Sequence, residues 1–149
     1  MRSAAFSLGG SHHERVEVRV RGYERQPTGN YDDDNWLYAE ILVSVGAFRG
    51  GFPTSILTYE IAEFRKQLDI LYITLGGQAE LETMEGQIYL RLTGNGRGGV
   101  SVEGEARDSG LGNRLEFTLA LDQTNLAVAI DEIDAVLAQF PVRTGSLAV

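Results

Sequence analysis

TYEIAEFRKQLDILYITLGG, residues 58–77, is the stretch on which the fold turns. Ile61, Phe64, Leu68, Leu71 and Leu75 follow one another at spacings of 3, 4, 3 and 4 residues. That spacing lays five apolar side chains along one stripe of an α-helix facing a core. At roughly 1.5–3 kcal/mol for each large side chain buried, such a stripe predicts a firmly docked helix. Thr58 fits the N-cap, and Glu60 and Glu63 lie near the positive end of the helix dipole. Gly76-Gly77 supplies a stop. Ile70 and Ile73 miss the stripe, so they either pack under another element or form an exposed patch.

The sequence on either side of this helix reads as strands. Upstream, Val16, Val18 and Val20 alternate with Arg15, Glu17, Arg19 and Arg21, which is a half-buried strand with a basic outer face. Residues 25–35 hold Pro27, Gly29, Asn30 and three consecutive aspartates and read as a loop. Trp36 to Phe48 reads as one long strand bent at Gly46, and Gly50-Gly51 and Pro53 read as punctuation after it. Downstream, residues 79–84, 87–93, 99–107 and 114–121 are four strands in quick succession, joined as hairpins at Asn95-Gly96 and at 109–113. A second helix begins near 122–124 and is ended by Pro141. Leu126, Ile130, Ile133, Leu137 and Phe140 form its expected buried stripe, with Asp131, Glu132 and Asp134 off it.

These elements predict an α+β fold: a mainly antiparallel, strongly bent sheet of about six to eight strands, with two amphipathic helices, mid-chain and C-terminal. The 149 residues suit one domain, 1–149, with loose termini at 1–13 and 143–149. The order strands–helix–strands–helix hints at two similar halves, although no residue-level repeat is visible. The chain has no cysteine, which suits a reducing cytosol, and no leader-like segment, so a cytoplasmic location is expected. No run approaches the roughly 20 apolar residues of a membrane helix.

Thirteen basic against 21 acidic residues give a net charge of −8. Such a chain repels phosphate backbones and anionic lipid, so neither nucleic acid nor membrane is expected as a direct partner. A basic protein is the favoured partner; solubility alone is the alternative reading of the charge.

Motifs that would carry chemistry fail on geometry. Residues 94–99, GNGRGG, match a dinucleotide-loop pattern but lead into a strand, where no helix N-terminus could hold pyrophosphate. The acidic run from Asn30 lacks the glycine and the bidentate glutamate of a calcium loop: Asn35 and Ile41 stand there instead. His12 and His13 are the only histidines, adjacent and far from any second ligand at helical spacing. No nucleophile stands beside a base. Glu80 and Glu82 alternate onto one strand face and leave a carboxylate-only hydrolase as a third reading, against that of a solvated strand face. The chain is therefore read as no enzyme, needing neither cofactor nor metal.

Tyr31, Asp32, Asp33 and Asp34, followed at once by Trp36, set aromatic rings beside acid groups, an arrangement that holds a partner's Arg or Lys. The alternative places Trp36 in the core with Asp34 capping the turn. With Asp131, Glu132 and Asp134 of the last helix, these are the candidate partner-binding residues.

Several short stretches in order then carry a resemblance: Gly22-Tyr23-Glu24, Asp34-Asn35-Trp36-Leu37, the helix from Thr58 through Leu71, Asp122-Gln123-Thr124 and Phe140-Pro141-Val142. From end to end the chain resembles the WapI-type bacterial immunity proteins. That resemblance implies a cytosolic antitoxin that protects a cell from the C-terminal toxin of a WapA-like, Rhs-repeat protein, a nuclease acting on tRNA, by tight binding and not by catalysis. A basic nuclease groove would attract an anionic inhibitor. A small structural or regulatory module, homodimeric through a strand edge or the Ile70/Ile73 face, is the second reading.

Overall fold

A computed structural model describes residues 4–11 and 14–144. The elements run β1 (Ala4–Ser11), β2 (Glu14–Tyr23), α1 (Tyr31–Asp34), β3 (Trp36–Val45), β4 (Phe48–Leu57), α2 (Thr58–Thr74), β5 (Gly76–Glu82), β6 (Ile88–Asn95), β7 (Gly99–Arg107), β8 (Arg114–Asp122) and α3 (Gln123–Gln139). All pairings are antiparallel.

The strands form two separate four-stranded sheets, β1-β2-β3-β4 and β5-β6-β7-β8, where the sequence reading expected one strongly bent sheet. The physical reason lies at the sheet edges. The backbone N–H of Ser7 in β1 is taken by Glu132 of α3 at 3.0 Å, and that of Glu80 in β5 by Gln67 of α2 at 2.8 Å. Helix side chains thus occupy edge groups that a continuous sheet would give to a further strand. Each half ends in a helix that packs on the first strand of the other half, α2 on β5 and α3 on β1, and the two helices also touch each other.

Among the described residues there are eight strands, within the expected six to eight and two more than the spans that were read individually. Gly46, with φ of +61°, is a hairpin turn and not a bend, so Trp36–Phe48 splits into β3 and the start of β4. The Gly50-Gly51 and Pro53 punctuation lies inside β4, whose full-length pairing with β3 overrides the local preference. Residues 4–11, placed among the loose N-terminal residues, form β1, because Phe6 and Leu8 are buried beside Val18 and Val16. His12, His13 and residues 145–149 lie outside the described residues.

One hydrophobic cluster takes side chains from both sheets and from α2 and α3. Ile61, Phe64, Leu68 and Leu71 are buried as expected, and Leu75 is the C-cap in the left-handed region, with φ of +63°. Thr58 does not cap α2. It is the first helical residue, while the Glu60 carboxylate accepts the Leu57 N–H at 2.9 Å. Of the α3 stripe that was read, Leu126, Ile130, Ile133 and Phe140 are buried and Leu137 is half-buried; Ala129 and Val136, which were not read, are fully buried beside them. Ile70 and Ile73 are exposed, at 56% and 69%. Residues 95–99 form the β6–β7 turn, with Asn95 accepting the N–H groups of Arg97 and Gly99, and lead into a strand as read.

Candidate acidic binding surface

Residues 25–35 are held by their own polar side chains. Asn30 caps the four-residue α1 by accepting the Asp33 N–H at 2.9 Å. Asp34 is buried. One of its oxygens accepts the Thr28 N–H at 2.7 Å and the Thr28 hydroxyl at 2.6 Å; the other accepts the Gly29 N–H at 2.9 Å. The Thr28 hydroxyl, ahead of the opposing effect of burial, holds the Asp34 carboxyl below its usual range. Asp34 is therefore a brace of the loop and offers little to a partner. Its neighbour Asn35 is fully buried and ties this turn to the start of α2 and to the chain end, a role the sequence reading missed.

Tyr31 is exposed and stacks on Tyr59 of α2, with ring centres 5.2 Å apart and planes 12° from parallel. The Tyr59 hydroxyl donates to Asp32 at 2.9 Å. Burial, then the Asp32 carboxylate, pushes the Tyr59 hydroxyl up to about 12. Asp33 is exposed. Trp36, weighed as a core residue, is only half-buried at the start of β3.

Tyr59 is also one wall of an open groove of about 490 Å³ between α2 and β5, lined by Glu60, Glu63, Gln67, Glu80 and Glu82. Among the described residues, four carboxylates and no cation line it. Glu60 lies deepest: it accepts from Leu57 and from the Met84 N–H at 2.6 Å, and burial raises its carboxyl above the usual range. Glu80 accepts the Tyr89 hydroxyl at 3.1 Å. The alternation read for Glu80 and Glu82 does place them together on this face. Among the described residues, no three His, Asp or Glu side chains converge closely enough to hold a metal ion.

The acids of α3 are placed elsewhere. Glu132 is spent on Ser7. Asp134 pairs with Arg65 through two bonds of 2.9 and 3.2 Å, and Asp69 and Asp131 add to the negative field that raises the Arg65 pKa. Arg65 follows Glu63 by two residues, about 200° around the helix. The two predicted acidic patches therefore lie on opposite flanks of α2. Tyr31 and Asp32 adjoin the groove through Tyr59, and Asp33 is exposed on the same turn; Asp131 and Asp134 do not line it.

What would have pointed to the groove is the α2 periodicity itself: Tyr59, Glu63 and Gln67 recur at four-residue spacing on the flank facing β5. Among the described residues no helix is long and apolar enough to cross a membrane.

Residues 7–141 match a family model described as the immunity protein WapI-like family. No curated protein matches the chain. Among solved structures, "Crystal Structure of WHY1 from Arabidopsis thaliana" is similar over 92% of this chain and 90% of that one, at 14% identity and a TM-score of 0.48.

Proposed function

The chain belongs to the WapI-like immunity protein family, and from that premise we propose that it neutralises its toxin in the cytoplasm by stoichiometric binding, without catalysis, and that the toxin is a nuclease. Its general role is that of an immunity protein, an antitoxin to a secreted toxin. The observation that supports the finer reading is the four-carboxylate groove beside the Tyr31–Tyr59 stack. A nuclease presents Lys and Arg to phosphate. A groove lined by four carboxylates is complementary to such a surface, and stacked aromatic rings bind an Arg face. The net charge of −8 adds long-range steering toward a basic partner.

On this reading Tyr31, Asp32 and Asp33 meet the toxin together with Glu63, Glu80 and Glu82. Asp131 and Asp134 form a secondary acidic flank around Arg65, while Asp34 and Glu132 act within the fold. Co-expression with the toxin domain encoded beside this chain tests the role: equal killing with and without the chain would reject it. Titration of the purified toxin's tRNA cleavage tests the mechanism. Inhibition complete at one equivalent fits binding, whereas clearance of excess toxin would mean turnover.

A second reading keeps a specific observation in its favour. Ile70 and Ile73 are exposed on α2, and a homodimer through that face would cover them. A sedimentation mass equal to one chain at every concentration would remove it.

A further inference from the structure

Asn35, 0% exposed, joins three segments far apart in sequence. Its amide donates to the carbonyl oxygens of Tyr31 at 2.7 Å and Arg143 at 2.9 Å. Its oxygen accepts the backbone N–H of Arg143 at 2.8 Å and the Thr58 hydroxyl at 2.5 Å. A primary amide has two donor hydrogens and two acceptor lone pairs, so the side chain is fully spent, half of it on one C-terminal residue. The Arg143 guanidinium lies 3.4 Å from the centre of the Tyr23 ring and donates to the carbonyl oxygens of Arg25 at 3.0 Å and Asp34 at 3.4 Å. Residue 143 therefore grips both ends of the 25–34 loop. The Tyr23 hydroxyl fixes the strap from below by donating to the Pro141 carbonyl.

A four-residue helix has no stability of its own, because the first turn costs more order than its hydrogen bond returns. The Tyr31–Asp34 turn is braced within its loop by Asn30 and Asp34 and is also held from outside, where Arg143 carries contacts from the far end of the described chain. We propose that the C-terminal strap, residues 141–144, is the positioning element that orders the Tyr31–Asp34 turn for the toxin, acting through Arg143 on Asn35. This rests on the reading that the turn faces the toxin. A turn already ordered in the free protein spares the entropy of ordering it at the moment of association.

The test uses site-resolved hydrogen exchange on the free protein, then affinity for the purified toxin domain encoded beside it. Two variants are compared with the full chain: one ending at residue 140, and R143A, which keeps the backbone bonds to Asn35 but removes the guanidinium. In the shortened chain, amides of residues 29–35 should exchange at least about tenfold faster, while those of β6 and β7 change far less. R143A should lie between the two. Toxin affinity should fall by about tenfold in the shortened chain and less in R143A. Unchanged exchange at 29–35 overturns the proposal, and R143A alone decides it should the shortened chain fail to fold. Faster exchange with unchanged affinity overturns it as well. Failure of the unaltered chain to bind the toxin would instead strike the functional reading, and the exchange data would still report whether the strap orders the turn.

Discussion

The carboxylate of Glu132 in α3 accepts both the backbone N–H of Ser7 in β1, at 3.0 Å, and the Ser7 hydroxyl, at 3.2 Å. In the other half, Gln67 in α2 does the same for the N–H of Glu80 in β5, at 2.8 Å. Gln67 and Glu132 each stand nine residues after the start of a 17-residue helix, Thr58 and Gln123 respectively. The two halves thus solve the same edge problem at the same place, with an amide in one and a carboxylate in the other.

Glu132→Ala leaves an edge N–H without its partner. The expected cost is about 1–3 kcal/mol, and Glu132→Gln should return most of it, since Gln67 shows that an amide oxygen suffices. Urea midpoints measure both. A loss below about 0.5 kcal/mol in the alanine variant would mean that water serves the Ser7 N–H equally well.

Gly104 in β7 faces Phe117 in β8, whose ring folds over it. A Cβ at position 104 would stand 2.3 Å from Phe117 Cζ, with two further ring atoms within 2.8 Å. The ring must move, so Gly104→Ala should destabilise by about 1–3 kcal/mol through overpacking. Adding Phe117→Leu should cost less in the Gly104→Ala background than alone. Strict additivity of the two in a thermal double-mutant cycle would show that the ring has room to swing away.

These relationships mark where the sequence was legible. The α2 stripe, the four downstream strands and the 95–99 turn could be read because each follows one local period or one turn residue set. The α3 stripe was read on side-chain size, which favoured Leu137 over Val136 and passed over Ala129. The most deeply buried positions of α3 repeat those of α2, with Ile61, Phe64, Leu68 and Leu71 standing where Leu126, Ala129, Ile133 and Val136 stand in α3. Strand β4 was hidden because glycine and proline obscure a strand whose pairing with β3 is non-local. At the site, acidity was legible but its use was not. Asp34 and Glu132 look like Asp33 and Asp131 in sequence, and only folding shows that the first two are occupied.

Phe64 is 0% exposed and faces Phe6 of β1, with ring centres 6.4 Å apart, so it joins α2 to the opposite sheet. Phe64→Ala should cost about 3–5 kcal/mol in chemical unfolding. A loss under about 1 kcal/mol would place the helix face wrongly.

Tyr59 gives an alkaline signature. Burial, followed by the bond to Asp32, raises its hydroxyl to about 12 in the folded chain, against an unfolded tyrosine near 10. The folded state thus keeps a proton that the unfolded state releases. Its contribution to stability is whole below pH 10 and is lost as pH rises through 10 toward about 12. Tyr59→Phe should flatten the fall in stability over that window, and Asp32→Asn should move the Tyr59 ionisation downward in a spectroscopic titration. A Tyr59 that ionises with the exposed tyrosines would refute the contact.

Glu63 and Glu82 line the groove, and neither braces the fold as Glu60 does through the Leu57 and Met84 N–H groups or Glu80 through the Tyr89 hydroxyl. Reversing either charge should leave unfolding nearly untouched, because exposed charges are worth little to stability. Association with a basic toxin should respond more strongly. Glu63→Lys and Glu82→Lys should each slow it by about threefold to tenfold at low ionic strength, with dissociation changed less. The effect should fade in about 1 M salt, where screening acts within about 3 Å. Arg21→Glu serves as the control, since Arg21 lies on the outer face of the first sheet, bonded to Glu40 at 2.8 Å and away from α2. Stopped-flow association rates across a salt series decide the matter. Equal slowing by the groove reversals and acceleration by Arg21→Glu would mean that only net charge steers the encounter. Slowing confined to Glu63 and Glu82 would place the toxin against α2 and β5.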